Sequence, residues 1–267
     1  MKKRFYRFSI LLNIAFFIMF LFLVFYKWET ITAKVNQLLV KSPTENELLE
    51  YNNTDFSYYE EKIIIDPNYS YTSILFIGNS ITMHGKKEGL WDYQSGMAAS
   101  SIEKDYVHLL CNKIANNYDQ NISLFIFSIA DYERNFERYN KESFNSRYGL
   151  KPNIVILQMG ENVAIKKLKD NSALFTNLTV DILNGFDESR KIITLPFWPD
   201  VTKNELWTNI ALKSNSIIVD LSHLGSGLDA RCFAKNEKKY ENKGVGMHPG
   251  DFGMEQIANC LYSVLGG

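Results

Sequence analysis

A serine, an asparagine and a histidine stand far apart in this 267-residue chain, each beside glycine or proline. Ser80 follows Gly78-Asn79, Asn162 follows Gly160-Glu161, and His248 lies in Gly246-Met247-His248-Pro249. Taken singly, each has an ordinary structural reading. A serine just past a strand caps the next segment as readily as it attacks a carbonyl carbon. An asparagine closes a turn with its own side chain, or offers an amide N–H to a developing oxyanion. One histidine before a proline carries little alone.

The surrounding pattern shows what must position them. Short apolar runs recur at 73–77, 122–127, 154–159, 191–195 and 216–219, rich in Ile, Val, Leu or Phe and without clean alternation. Such runs are expected of strands buried on both faces. Segments with helical spacing lie between them, at 104–117, 166–184 and 203–212, and a last helix is expected over about 252–265. Alternation of this kind predicts one α/β domain over 71–267: three layers, α/β/α, around a central parallel sheet of about five strands. In open sheets, binding groups gather at the carboxyl ends of the strands. Ser80, Asp131 and Asn162 all follow strand ends.

In this order, Gly-Asn-Ser, Gly-x-Asn and His-Pro resemble the motif blocks of the SGNH (GDSL-like) hydrolase superfamily, over about residues 71–267. Asn79 stands where that family more usually has aspartate. The stretch Gly96-Met97-Ala98-Ala99-Ser100, followed by Lys104-Asp105-Tyr106-Val107-His108, is similar to the family's carbohydrate esterases. The resemblance implies a flavodoxin-like sheet, Ser80 as nucleophile and His248 as general base. It also implies an oxyanion hole made from the backbone N–H groups of Ser80 and Ala130 and the Asn162 amide. Ala130 occupies a position where glycine is usual. The family commonly has an aspartate three residues before the histidine, and here that residue is Val245. Asp251 and Glu161 are the carboxylates near matched positions that could orient His248; a backbone carbonyl is the other candidate. Trp91 and Trp198 either line a sugar-binding cleft or pack in the core, and His84 and His108 either join the site or serve structure.

The N-terminus carries a separate message. Lys2, Lys3, Arg4 and Arg7 precede an apolar run from Phe8 to Tyr26. At 1.5 Å per residue the run spans roughly 28 Å, close to the ~30 Å hydrocarbon core of a bilayer. The basic flank predicts a transmembrane helix with its N-terminus in the cytoplasm and the domain outside. A cleaved signal peptide is the rival, but its apolar region is usually shorter and ends in small residues; here the exit is Tyr26-Lys27-Trp28-Glu29. Residues 1–29 are thus read as basic stub and anchor, 30–70 as a stalk, and 71–267 as the catalytic domain.

Composition narrows the function classes. The chain is 46% hydrophobic and 22% charged with six prolines, too apolar for a disordered protein. Its net charge of −1 gives no reason to expect nucleic-acid binding. Cys111, Cys232 and Cys260 allow at most one disulfide and have no metal-ligand spacing, and no metal or cofactor is expected. The expected activity is hydrolysis of acyl, chiefly O-acetyl, esters on an envelope or extracellular carbohydrate. An O-acetyltransferase supplied by a membrane acetyl-donor protein would share the acyl-enzyme. Val245 motivates a third reading, a catalytically decayed binding module.

Overall fold

In a computed structural model of the chain, residues 58–139 and 150–266 are described. The strands are β1 (Tyr58–Ile63), β2 (Tyr71–Gly78), β3 (Asn121–Ser128), β4 (Ile154–Gln158), β5 (Arg190–Thr194) and β6 (Ile217–Val219). They form one sheet in the order β1-β3-β2-β4-β5-β6. The five expected apolar runs are the five parallel strands β2 to β6.

The sheet has a sixth member that the sequence placed in the stalk. β1 pairs antiparallel with β3, so the sheet is mixed and the folded unit begins before residue 71. Its sequence, Tyr-Tyr-Glu-Glu-Lys-Ile, resembles a solvated linker because an edge strand carries charge and buries little. The expected anchor, and the stalk up to residue 57, lie outside the described residues. Among the described residues, no helix is long and apolar enough to cross a membrane.

The helices are α1 (Tyr106–Tyr118), α2 (Ala130–Asn135), α3 (Ile165–Asn184), α4 (Val201–Lys213), α5 (Ser222–Gly225), α6 (Lys243–Gly246) and α7 (Asp251–Leu265). Successive side chains of β2 serve opposite layers, as strand geometry requires. Ile74 and Phe76 pack with Leu110 of α1 and Ile257 of α7, while Leu75 and Ile77 pack with Phe175 of α3 and Trp207 of α4. Both faces of the strand are therefore dry. Cys111, Cys232 and Cys260 are all free thiols.

His108 resolves to the structural reading. Asp105 caps α1 by accepting from the His108 N–H, and its Oδ1 lies 2.7 Å from His108 Nδ1. His108 Nε2 is 3.2 Å from Glu61 Oε2 on β1. Burial alone would lower the His108 pKa; hydrogen bonding and attraction from Asp105, then Glu61, outweigh it and hold the value above normal. A histidine whose folded pKa is raised stabilises fully below its unfolded value of about 6.5 and loses that contribution as pH rises through the folded value. The melting-temperature gap between wild type and His108→Gln is therefore expected to narrow as pH is raised from about 6 to 9. A gap constant over that range would remove the charged cluster as its cause.

Candidate active site

The register of three strands sets the site. Gly78 on β2 lies opposite Ser128 on β3 and Gln158 on β4. Two residues beyond this level come Ser80, Ala130 and Gly160, at one carboxyl edge of the sheet. Gly78 is required because a Cβ there would run into Thr82 Oγ1 and the Gln158 carbonyl. Gly160 has φ +128°, a left-handed conformation, and a Cβ would press on Pro196 and Trp207. The Ser80 loop is pinned from outside by the Met97 N–H, which donates to the Ser80 carbonyl at 2.8 Å.

His248 arrives from the turn between α6 and α7 and meets this edge. Its Nε2 is 2.9 Å from Ser80 Oγ, across 168 residues of chain. Its Nδ1 is 2.8 Å from the Gly244 carbonyl oxygen, an atom that can only accept. Nδ1 therefore carries the proton, and the Nε2 lone pair faces the serine hydroxyl. Burial pushes the His248 pKa down to about 4, opposed by the Gly244 bond and reinforced by repulsion from His84. The imidazole is thus neutral at physiological pH, as a base must be.

The two candidate orienting carboxylates are engaged elsewhere. Asp251 accepts from the Ser100 backbone N–H at 2.7 Å and its hydroxyl at 2.6 Å. Glu161 accepts from Asn79 Nδ2 at 2.5 Å, Gln158 Nε2 at 2.9 Å and the Phe197 N–H at 2.8 Å. Neither is bonded to His248; the Gly244 carbonyl takes that place. Val245 is buried in a small apolar cluster with Trp91, Met97, Ala98 and Ala234. Trp91 consequently belongs to packing and not to a cleft. Trp198 is half-buried and sets its ring edge-on to His248, centroids 5.4 Å apart.

The Asn162 side chain is held at both ends. Arg134 donates to its Oδ1 at 3.1 Å, and its Nδ2 donates to Glu133 Oε2 at 2.6 Å. An amide nitrogen has two hydrogens, so one remains for a further acceptor. Ala130 opens α2, and the first N–H groups of a helix lack intrahelical acceptors. Alanine can therefore supply the N–H that glycine supplies elsewhere.

Beneath these groups lies a buried polar unit that the sequence did not announce. Glu133 and Asn79 are fully buried, and Asn79 Nδ2 bridges Glu133 Oε1 at 3.2 Å and Glu161 Oε2. Lys203 Nζ donates to the Gly160 carbonyl at 2.6 Å. Burial and repulsion from Glu161 push the Glu133 pKa up to about 7, and burial likewise raises Glu161. Glu133 is three residues past Ala130 in a run, Ala-Asp-Tyr-Glu-Arg-Asn, with nothing to mark it as buried.

No protein-family model and no curated protein sequence matches this chain. Solved structures do. A protein described as a GDSL-like lipase, from Parabacteroides merdae, aligns over 74% of this chain and 98% of its own, at 15% identity and TM-score 0.49. The acetyl xylan esterase AlAXEase aligns over 72% of this chain and 99% of its own, at 15% identity and TM-score 0.47. A two-domain esterase active on acetylated mannans aligns over 74% of this chain and 49% of its own, at 14% identity and TM-score 0.50. The chain has the SGNH hydrolase fold. In this SGNH frame Asn79 joins two buried glutamates, and a backbone carbonyl, not a carboxylate, stands behind His248.

Proposed function

We propose that this protein is a serine carboxylic-ester hydrolase in which Ser80 and His248 form a catalytic dyad. The observation that carries the reading is the 2.9 Å approach of Ser80 Oγ to His248 Nε2, with Nδ1–H fixed on the Gly244 carbonyl. In this reading Ser80 Oγ attacks the acyl carbon and its proton passes to Nε2. The oxyanion is received by the N–H groups of Ser80 and Ala130 and by the free Asn162 amide hydrogen. Collapse of the tetrahedral intermediate breaks the bond to the alcohol, which takes the proton from Nε2. Water then repeats the sequence on the acyl-enzyme, releasing acid and restoring the serine.

The substrate class we propose is an O-acetylated carbohydrate outside the cytoplasm, with the chain held at the membrane by residues 8–26. The similarity of residues 96–108 to carbohydrate esterases supports it, as does the Trp198 ring beside His248, since aromatic rings suit the apolar faces of sugars. The esterase active on acetylated mannans shares this fold. The Gly244 carbonyl does the orienting that Val245 cannot, which favours the hydrolase over the decayed-module reading.

The test uses the full chain. Membrane and soluble fractions are separated, and acetate release from p-nitrophenyl acetate and from acetylated xylo-oligosaccharide is measured in each, wild type beside Ser80→Ala. Release is expected in the membrane fraction and is expected to fall by about 10⁴-fold or more in the variant. Release that survives Ser80→Ala would overturn the dyad. Acetate transferred to added sugar in preference to water would make the enzyme a transferase.

A further inference from the structure

We propose that Glu133 is a positioning residue whose carboxylate holds the Asn162 amide in register with Ser80. The inference rests on the Ser80 chemistry proposed above and adds a residue that the family motifs do not mark.

Glu133 gathers the loop that carries Asn162. Its Oε1 accepts from the Gly160 N–H at 2.5 Å, from the Asn162 N–H at 3.5 Å and from Asn79 Nδ2 at 3.2 Å. Its Oε2 accepts from Asn162 Nδ2 alone, at 2.6 Å. Every partner is a donor, so the site is built for an acceptor-only group, the ionised carboxylate. Helix α2 contributes in three ways: Ala130 offers an N–H at its start, Arg134 grips Asn162 Oδ1, and Glu133 grips Nδ2. One rigid turn therefore sets both the backbone donor and the amide donor of the oxyanion pocket. Precision of this kind matters because donors must aim at the oxyanion before it forms.

The two oxygens have different duties, which makes a single substitution selective. In Glu133→Gln the amide oxygen takes the Oε1 position, where three donors converge, and the new –NH₂ faces Asn162 Nδ2. Two donors then oppose each other. Arg134 on Oδ1 prevents Asn162 from turning over to relieve the clash, so its amide swings out of place.

Charge around Glu133 comes from several elements. Glu161 faces it from the β4 exit, and Lys203 from α4, with Asp200 at that helix's N-cap. Tyr132 and Arg134 flank it on α2. Burial and then repulsion from Glu161 raise the Glu133 carboxyl to about 7, while Lys203 attracts. A protonated Glu133 turns an acceptor into a donor and loosens Asn162. Activity then carries an acid limb near pH 7, well above the titration of His248 at about 4.

The experiment measures kcat and KM for acetate release by the full chain as wild type, Ser80→Ala, Glu133→Gln, Asn162→Ala and the double variant, from pH 5 to 9. Asn162→Ala is expected to lose about 10²-fold in kcat. Glu133→Gln is expected to lose about 10-fold or more in kcat with KM nearly unchanged, and the double variant to be no worse than Asn162→Ala. Losses that multiply in the double variant, or an unchanged kcat in Glu133→Gln, would overturn the proposal. Should Glu133→Gln fail to fold, the pH profiles decide. The limb near pH 7 is expected in wild type and absent from Asn162→Ala, where Glu133 has no amide to steer. The same limb in both proteins would overturn the proposal. A wild type without Ser80-dependent turnover fails differently: it removes the ester chemistry itself, and the positioning role with it.

Discussion

His248→Ala is expected to lower kcat for acetate release by about 10⁴-fold or more while shifting the melting temperature by only a few degrees. The side chain is half-buried, and its loss removes hydrogen bonds to Ser80 and Gly244 and one ring contact with Trp198. What disappears chemically is the only base within reach of Ser80 Oγ among the described residues. Parallel measurement of kcat and thermal melting separates the two effects. More than about a tenth of wild-type turnover in a folded variant would show that another base serves Ser80.

The size of that loss depends on what the missing aspartate would have done. In serine proteases, changing the triad aspartate to asparagine costs about 10⁴-fold because it favours the wrong imidazole tautomer. Here the Gly244 carbonyl fixes the correct tautomer, so that share of the effect is retained. A neutral carbonyl stabilises the imidazolium less than a carboxylate does, and that share is lost. Burial, which lowers the His248 pKa to about 4, works in the same direction. The dyad is expected to be ready as a base at pH 7 but to hold the abstracted proton weakly. In the proposed mechanism, weak holding would slow attack by Ser80 and favour return of the proton to the leaving alcohol.

The parts of this site that depend on residue type were legible in the sequence. Ser80, Asn162 and His248 each carry a glycine or proline neighbour that shapes a turn, and the apolar runs behind them have the length and composition expected of buried strands. The unread parts depend on backbone atoms or on sequence-distant pairs. A carbonyl oxygen belongs to every residue, so nothing in Gly244 marks it as the partner of Nδ1. Asp251 sits three residues from His248 yet pairs with Ser100, 151 residues away, because α7 starts beside the 95–100 segment. Glu133 resembles a solvated helix residue until the β4 exit closes over it. β1 is missed for the converse reason: an edge strand contacts one neighbour only, so its residues need not be apolar.

Asn79→Asp, which introduces the residue more usual in the hydrolases whose motifs this chain resembles, is expected to destabilise the protein by about 3 kcal/mol or more at pH 8. The side chain is fully buried, and its Oδ1 accepts from the Ile81 N–H at 3.0 Å, a bond aspartate would keep. Its Nδ2 is the donor shared by Glu133 Oε1 and Glu161 Oε2. Aspartate removes that donor and sets a third carboxylate between two others. Relief comes only by taking up protons, so the folded-state pKa of the cluster rises and the variant loses stability as pH increases through it. The deficit is expected to be small near pH 5 and full by pH 8, where 3 kcal/mol corresponds to roughly 6–12 °C in melting temperature. A pH-independent deficit would assign the loss to packing instead. A second substitution sharpens the test, because Glu161 uses its two oxygens separately: Oε1 accepts from Gln158 and the Phe197 N–H, while Oε2 faces Asn79. Glu161→Gln keeps the acceptor at Oε1 and puts an N–H₂ donor towards position 79. Added to Asn79→Asp, it is expected to restore most of the stability at pH 8. Added to wild type, it sets one amide donor against another and costs stability. Opposite signs for one substitution in two backgrounds would show that residues 79 and 161 are read as a donor–acceptor pair, and that the asparagine here is matched to its two glutamates.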